Sequence, residues 1–302
     1  MVFVGPLATG RMTDTFAASF VEKRVSLNGR GSGALSYLDF GNPARALDFV
    51  FLHANGFNAL TYRHVLGSLA KDWRFAIVDQ RGHGATTLET DVSSRRDWVD
   101  LRDDLLAFLD VLGVERVILA GHSMGATTSL LAAAARPERC KRLVLFDPVI
   151  MPRGFEGPPE DAPIVVGAKR RRAIFSSRAE AMKAYRGRGA FASWPDPILA
   201  DYVSAGFRDR PDGQVELACA PEWEASGFAA QGHDPWTAFD ECICPIRVVR
   251  AESGSTFRVD DLRRSVNHPI EIETPPGSTH LFPMIHADMV ASRLRAALAE
   301  AA

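Results

Sequence analysis

The stretch Val117-Ile118-Leu119-Ala120-Gly121-His122-Ser123-Met124-Gly125-Ala126 constrains this chain more than any other. An apolar run meets Gly-His-Ser-Met-Gly, and small, helix-forming residues follow through 135. A buried strand that turns sharply into a helix needs this order. Glycines on both sides let the two segments pass close, and the serine between them stands on a strained tip with its hydroxyl exposed. Five residues with three fixed recur by chance. Strand before and helix after supply the context that makes Ser123 a candidate nucleophile rather than a plain turn residue.

The rest of the chain repeats that rhythm. Residues 21–27 and 34–40, split by Asn28-Gly29-Arg30-Gly31, read as an antiparallel hairpin. Short runs at 48–52 and 74–78 read as strands buried in the sheet, and 116–120, 142–146, 246–250 and 270–272 read as the strands that follow. Between them lie helix patterns at 60–69, after Ser123, and at 259–265, and Pro283 opens a last helix. An amphipathic helix sets Trp98, Leu101, Leu105, Phe108, Leu109 and Leu112 on one face, with Ser94 as its expected N-cap and Gly113 as its stop. The fold class is therefore α/β: a mostly parallel eight-stranded sheet with helices on both faces. Residues 149–236 break the rhythm with Pro/Gly-rich loops, helices at 178–185 and 198–207, and little strand character. They read as a helical lid inserted after the sixth strand, which divides the core into 1–148 and 237–302.

A serine hydroxyl attacks only when a base takes its proton and a third group orients that base. His280 follows the last strand and precedes the last helix, which brings it to the same sheet edge as Ser123. The other histidines (His53, His64, His83, His122, His233, His268 and His286) read as structural.

Four phrases together carry a resemblance: His53-Ala54-Asn55-Gly56-Phe57, Asp79-Gln80-Arg81-Gly82-His83-Gly84, the elbow at 121–125, and Gly277-Ser278-Thr279-His280. In spacing and order the chain resembles an α/β-hydrolase over residues 20–148 and 237–302. The resemblance implies Ser123 as nucleophile and His280 as base, with Asn55 and Met124 offering backbone amides to an oxyanion. It also shows a departure. The family's usual acid follows the strand before the last, where this chain has Gly254. Two candidates stand in its place. Asp147 ends the strand after the nucleophile strand, a position some lipases and haloalkane dehalogenases use, and Glu252 sits two residues early. Ala54 and Gly56 also replace the family's usual residues around Asn55, so Gly56 or Phe57 could supply the amide, and the Asn55 side chain could reach substrate.

With 302 residues the chain can bury a large core, and 46% hydrophobic and 24% charged residues are ordinary for a globular enzyme. A net charge of −2 gives no reason to expect a nucleic-acid or membrane partner, and no apolar run nears the ~20 residues of a membrane span. No secretory leader is read at the N-terminus, where Met12 is an alternative start. Cys140, Cys219, Cys242 and Cys244 lack metal or redox spacing and read as free thiols of a cytoplasmic protein. No cofactor and no metal are expected. The partner is a small-molecule substrate, with a homodimer left open.

The implied activity is serine-dependent hydrolysis of a carboxylic ester or lactone of a small, largely apolar molecule. The alternatives are C–C bond hydrolysis of a diketone and ligand binding without catalysis. The basic run Lys169-Arg170-Arg171-Arg172, with Arg178, Arg186 and Arg188, raises the further idea of an arginine reaching a substrate carboxylate. Phe191, Trp194, Phe207, Trp223, Phe228 and Trp236 are divided between lid core and pocket wall.

Overall fold

The protein is described by a computed structural model covering residues 19–155, 157–258 and 270–301. The alternative start at Met12, the helix at 259–265 and His268 lie outside the described residues. The strands are β1 (Phe20–Val25), β2 (Leu35–Phe40), β3 (Phe49–Leu52), β4 (Phe75–Asp79), β5 (Val117–His122), β6 (Cys140–Phe146), β7 (Ile174–Phe175), β8 (Phe207–Asp209), β9 (Val215–Leu217), β10 (Ile246–Val249) and β11 (Ile270–Glu273). Eight of them form one sheet in the order β1-β2-β4-β3-β5-β6-β10-β11. The β1–β2 and β2–β4 pairs are antiparallel, and every later pair is parallel.

The period-2 geometry of these strands divides the core in two. Val50, Leu52, Ala76, Val78, Leu119 and Leu143 face one cluster, which is covered by helices α2 (Val99–Val111), α3 (Met124–Ala135) and α8 (Pro235–Glu241). Phe49, Phe51, Phe75, Ile77, Ile118 and Val144 face the other. Helices α1 (Arg63–Leu66), α6 (Asp196–Ala205) and α10 (Ala287–Glu300) cover that side. Both faces of the strands being buried explains their unbroken apolar runs.

Local expectations fail where local chemistry competes. The helix expected over 60–69 is three short pieces, with 3-10 turns at Ala59–Tyr62 and Gly67–Lys71 flanking α1. Ser94 does not cap α2. Its hydroxyl bonds Asp91, and Asp97 accepts from the Val99 amide at 2.9 Å instead. Trp98 is the residue before that helix and not part of its face.

The segment after β6 is not purely helical. It holds α4 (Pro163–Lys169), α5 (Arg178–Tyr185), α6, α7 (Pro221–Ala229) and α8, but also an antiparallel three-stranded sheet, β7-β9-β8. Phe207 opens β8 rather than closing α6. No helix among the described residues is long and apolar enough to cross a membrane.

Candidate active site

The sheet's C-terminal edge gathers the site. β5 runs into Ser123, which adopts φ 54°, ψ −121°, and α3 starts at the next residue. Both flanking glycines are required by contact. A Cβ on Gly121 would lie 2.4 Å from the Gly125 carbonyl carbon, and one on Gly125 would lie 2.3 Å from the Leu52 carbonyl oxygen. Among the described residues the only other non-glycine with positive φ is Asp147, at 43°, on the turn after β6. Backbone strain of this kind persists where the surroundings over-determine it, and both strained residues belong to one array.

His280 precedes α9 (Phe282–Ile285) and links the two. Ser123 Oγ lies 3.0 Å from its Nε2, and its Nδ1 lies 2.6 Å from Asp147 Oδ2. Asp147 is fully buried. Burial pushes its carboxyl up, but the His280 hydrogen bond and charge, the Ser255 hydroxyl and the Ala251 amide together hold it below the ordinary carboxylate value. The last two come from the loop after β10, at 2.6 and 2.8 Å on Oδ1. The loop in which the family's acid is usually found here steadies a carboxylate on the neighbouring strand. Glu252 is turned elsewhere and accepts from the Gly277 amide at 2.8 Å.

In the loop after β3 most amides already have acceptors. Ala54 N–H donates to Tyr62 Oη at 3.2 Å, Gly56 N–H to His83 Nε2 at 3.0 Å, and Phe57 N–H to the Ala54 carbonyl at 3.1 Å. Asn55 N–H has no acceptor among the described residues, and of the residues at 54–57 it is the one amide left so. Met124 N–H belongs to the first turn of α3, whose leading amides have no carbonyl within the helix. Gly56 and Phe57 N–H are both engaged within the protein. The Asn55 side chain donates through Nδ2 to the Glu224 carbonyl at 2.8 Å, while its buried Oδ1 has no partner among the described residues.

Three neutral histidines make this arrangement. Burial pushes His53 down to about 4 and His83 well below the ordinary value. Each keeps one nitrogen as acceptor, His53 for the Gln80 amide and His83 for Gly56. Their Nδ1–H groups donate to the Ala54 and Arg81 carbonyls. His122, pushed down to about 3 by burial and by His280, extends the network. Tyr62 O–H donates to its Nδ1 at 2.7 Å, and its Nε2–H donates to the His280 carbonyl at 2.8 Å. A buried chain thus runs from the Ala54 amide to the backbone of His280. Spacing alone marked these histidines as structural; nothing in it showed that His83 would take the Gly56 amide or that His122 would tie Tyr62 to the His280 backbone.

A cavity of about 570 Å³ opens over Ser123. Phe57, Trp98, Met151, Phe155, Ile164 and Phe228 give it an apolar wall, and Glu224 and His280 are its titratable groups among the described residues. None of the arginines in the segment after β6 lines it. Arg171 pairs with Glu224, Arg172 with Glu180, Arg178 with Asp209 and Arg186 with Asp196. Of the six aromatics singled out from the sequence, Phe228 alone lines the cavity, and Phe155 joins it from the same segment. Phe191, Trp194 and Phe207 pack with Tyr202 or Tyr185, Trp223 lies under the Arg95 guanidinium, and Trp236 is buried in the core. No group of three or more His, Cys, Asp or Glu side chains among the described residues is placed to hold a metal ion.

Comparison with known proteins agrees with the fold. The 2-(acetamidomethylene)succinate hydrolase of Mesorhizobium japonicum is 25% identical over 266 residues, 85% of this chain and 86% of that one. The N-formylmaleamate deformylase of Pseudomonas putida is 30% identical over 164 residues, 54% of this chain and 58% of its own. The thioesterase domain from the curacin biosynthetic pathway superposes with a TM-score of 0.73 at 19% identity, covering 92% of this chain and 99% of that domain. Residues 49–293 match the alpha/beta hydrolase family. This chain belongs to that family.

Proposed function

We propose that this hydrolase cleaves a carboxylic ester or lactone of a small, largely apolar molecule by acyl transfer through Ser123. The observation that carries the reading is the continuous array Ser123–His280–Asp147, at 3.0 and 2.6 Å, on the floor of an apolar cavity. Ser123 Oγ attacks the carbonyl carbon while His280 Nε2 takes its proton, and Asp147 stabilises the imidazolium that forms. The charge that develops on the carbonyl oxygen meets the amides of Asn55 and Met124, with the N-terminus of α3 adding its dipole. His280 then gives the proton to the leaving oxygen. Water, deprotonated by the same imidazole, releases the acid and restores Ser123.

The lining favours an ester or lactone over a diketone, because the arginine-rich segment that spoke for the diketone keeps its arginines out of the cavity. The segment at 149–236 serves as the lid in this reading. It brings Met151, Phe155, Ile164 and Phe228 over the serine, and Ile164, 52% exposed, marks the mouth.

Incubation with p-nitrophenyl butyrate and a fluorophosphonate probe tests the proposal. Turnover, with probe attached to Ser123 and absent from Ser123→Ala, is expected. Wild-type protein that neither turns over the ester nor takes the label would instead be a ligand-binding member of the fold.

A further inference from the structure

Glu224 is the one acidic side chain among the described residues lining the cavity over Ser123, and the acyl transfer proposed above makes no use of it. One of its oxygens, Oε2, pairs with Arg171, which also receives support from Tyr202 Oη at 2.8 Å. The other, Oε1, receives no donor among the described residues, and the side chain keeps 10% of its surface open. Oε1 lies against Gly56, where a Cβ would come within 2.5 Å of it. That places a carboxylate oxygen one residue from the Asn55 amide.

Helix α7, which carries Glu224, is fixed to the sheet edge. Besides the Asn55 bond, Trp98 Nε1 donates to the Gly227 carbonyl at 3.0 Å and Trp223 Nε1 to the Arg81 carbonyl at 2.9 Å. Arg95 Nη1 donates to Ser226 Oγ at 3.0 Å. Glu224 is therefore a positioned acceptor and not a mobile surface acid.

We propose that Glu224 determines specificity: Oε1 accepts a hydrogen bond from a hydroxyl or amide N–H close to the reacting carbonyl and repels a carboxylate placed there. This rests on the ester-hydrolase reading and narrows it to neutral substrates that carry a donor. An ionised acceptor makes stronger hydrogen bonds than a neutral one. A site built to bond a substrate O–H also penalises the analogue that lacks it, because its own polar group is left unmatched. Like charges brought together add rejection to that preference. The curated relatives named for a succinate and a maleamate act on carboxylates, and a carboxylate is what this wall disfavours.

The test compares kcat/KM for the p-nitrophenyl esters of butyrate, 3-hydroxybutyrate and succinate in wild type and Glu224→Gln. In wild type the hydroxybutyryl ester should exceed the butyryl ester by about tenfold, with the succinyl ester slowest. Glu224→Gln should shrink the hydroxyl preference to roughly threefold or less and raise succinyl relative to butyryl turnover. If Glu224→Gln does not fold, Glu224→Asp keeps the charge and withdraws the oxygen. It should lose the hydroxyl preference while still rejecting succinyl. Identical ratios in wild type and variant, or a wild type that prefers succinyl, would overturn the assignment while leaving the hydrolase reading intact. Absence of turnover and of fluorophosphonate labelling sinks the hydrolase reading itself. Glu224 is then read in Ser123→Ala protein by ligand-observed NMR, where methyl 3-hydroxybutyrate binding no better than methyl butyrate overturns it.

Discussion

At the sheet edge around Ser123, polar groups hold one another through short bonds inside the core: Asp147 and His280 at 2.6 Å, Tyr62 and His122 at 2.7 Å, with Asp147, Tyr62 and His122 fully buried. In the segment at 149–236 most ion pairs are arginine–carboxylate pairs at the surface. Arg186 and Asp196 keep 56% and 62% of their side chains exposed, and Arg172 and Glu180 keep 57% and 34%. A buried polar group must find its partner or cost stability, so few arrangements satisfy the edge. Exposed groups have water as an alternative, so many arrangements satisfy the insertion. The Arg171–Glu224 pair is the exception. It is the insertion's mostly buried ion pair, with 20% and 10% exposure, and it stands where the insertion meets the edge.

The largest effect that can break this contrast lies at Asp147. Asp147→Asn removes the charge that orients His280 and should lower kcat by about 10⁴-fold. Glu252→Gln gives up only an exposed bond to the Gly277 amide and should stay within roughly twofold of wild type. Steady-state kinetics on the p-nitrophenyl ester that wild type uses best reads both. The reverse result would return the acid to the loop after β10.

Acid should unsettle the edge next. Burial holds His53 at about 4 and His122 at about 3, and keeps His83 well below its ordinary value. The unfolded chain takes these protons once the pH falls below about 6.5, while the folded chain resists until near 4. Between those limits the unfolded state binds more protons, so stability is lost as pH falls. For His53 alone the shift corresponds to about 3 kcal/mol. Asp79 works in the opposite direction. Burial raises it to about 6, so over roughly pH 4 to 6 the folded state binds more protons there and gains stability as pH falls. Three histidines outweigh one carboxyl. Urea unfolding at pH 7 and pH 4.5 should show a lower midpoint in acid. Equal midpoints would mean that these imidazoles are not held neutral.

The same contrast sets what could be read from residues alone. Ser123 stood out because a strand, two glycines and a helix must occur in one order around it. Asp147 stood out through Gly254, which leaves the usual acid position empty. The central strands β3, β4 and β5 were readable because burial on both faces writes an apolar run. The unengaged amide of Asn55 was not, since it depends on His53, Tyr62 and His83 from separate stretches converging on one loop. β7, β8 and β9 are two or three residues long, too short for alternation to register, and Phe207 fits a helix face as well as a strand. Glu224 sits on a helix with acidic residues in its first turn and looks like any solvated glutamate until α7 is placed against Gly56.

The smallest effect is expected in the insertion, at Arg186. Its Nε donates to Asp196 Oδ1 at 2.9 Å, but both side chains are more than half exposed, so water competes for each partner. Such pairs contribute between nothing and about 1 kcal/mol, and salt screens what remains. Arg186→Ala should therefore change the unfolding free energy by less than about 0.5 kcal/mol and leave kcat/KM for neutral and carboxylate-bearing esters in the same ratio. The ratio is the sharper reading. A stability change alone would only revise the strength of one surface pair, whereas a loss confined to the carboxylate ester would mean that the basic stretch reaches the substrate after all. It would then be the insertion's arginines, and not Glu224 at the edge, that choose what Ser123 attacks.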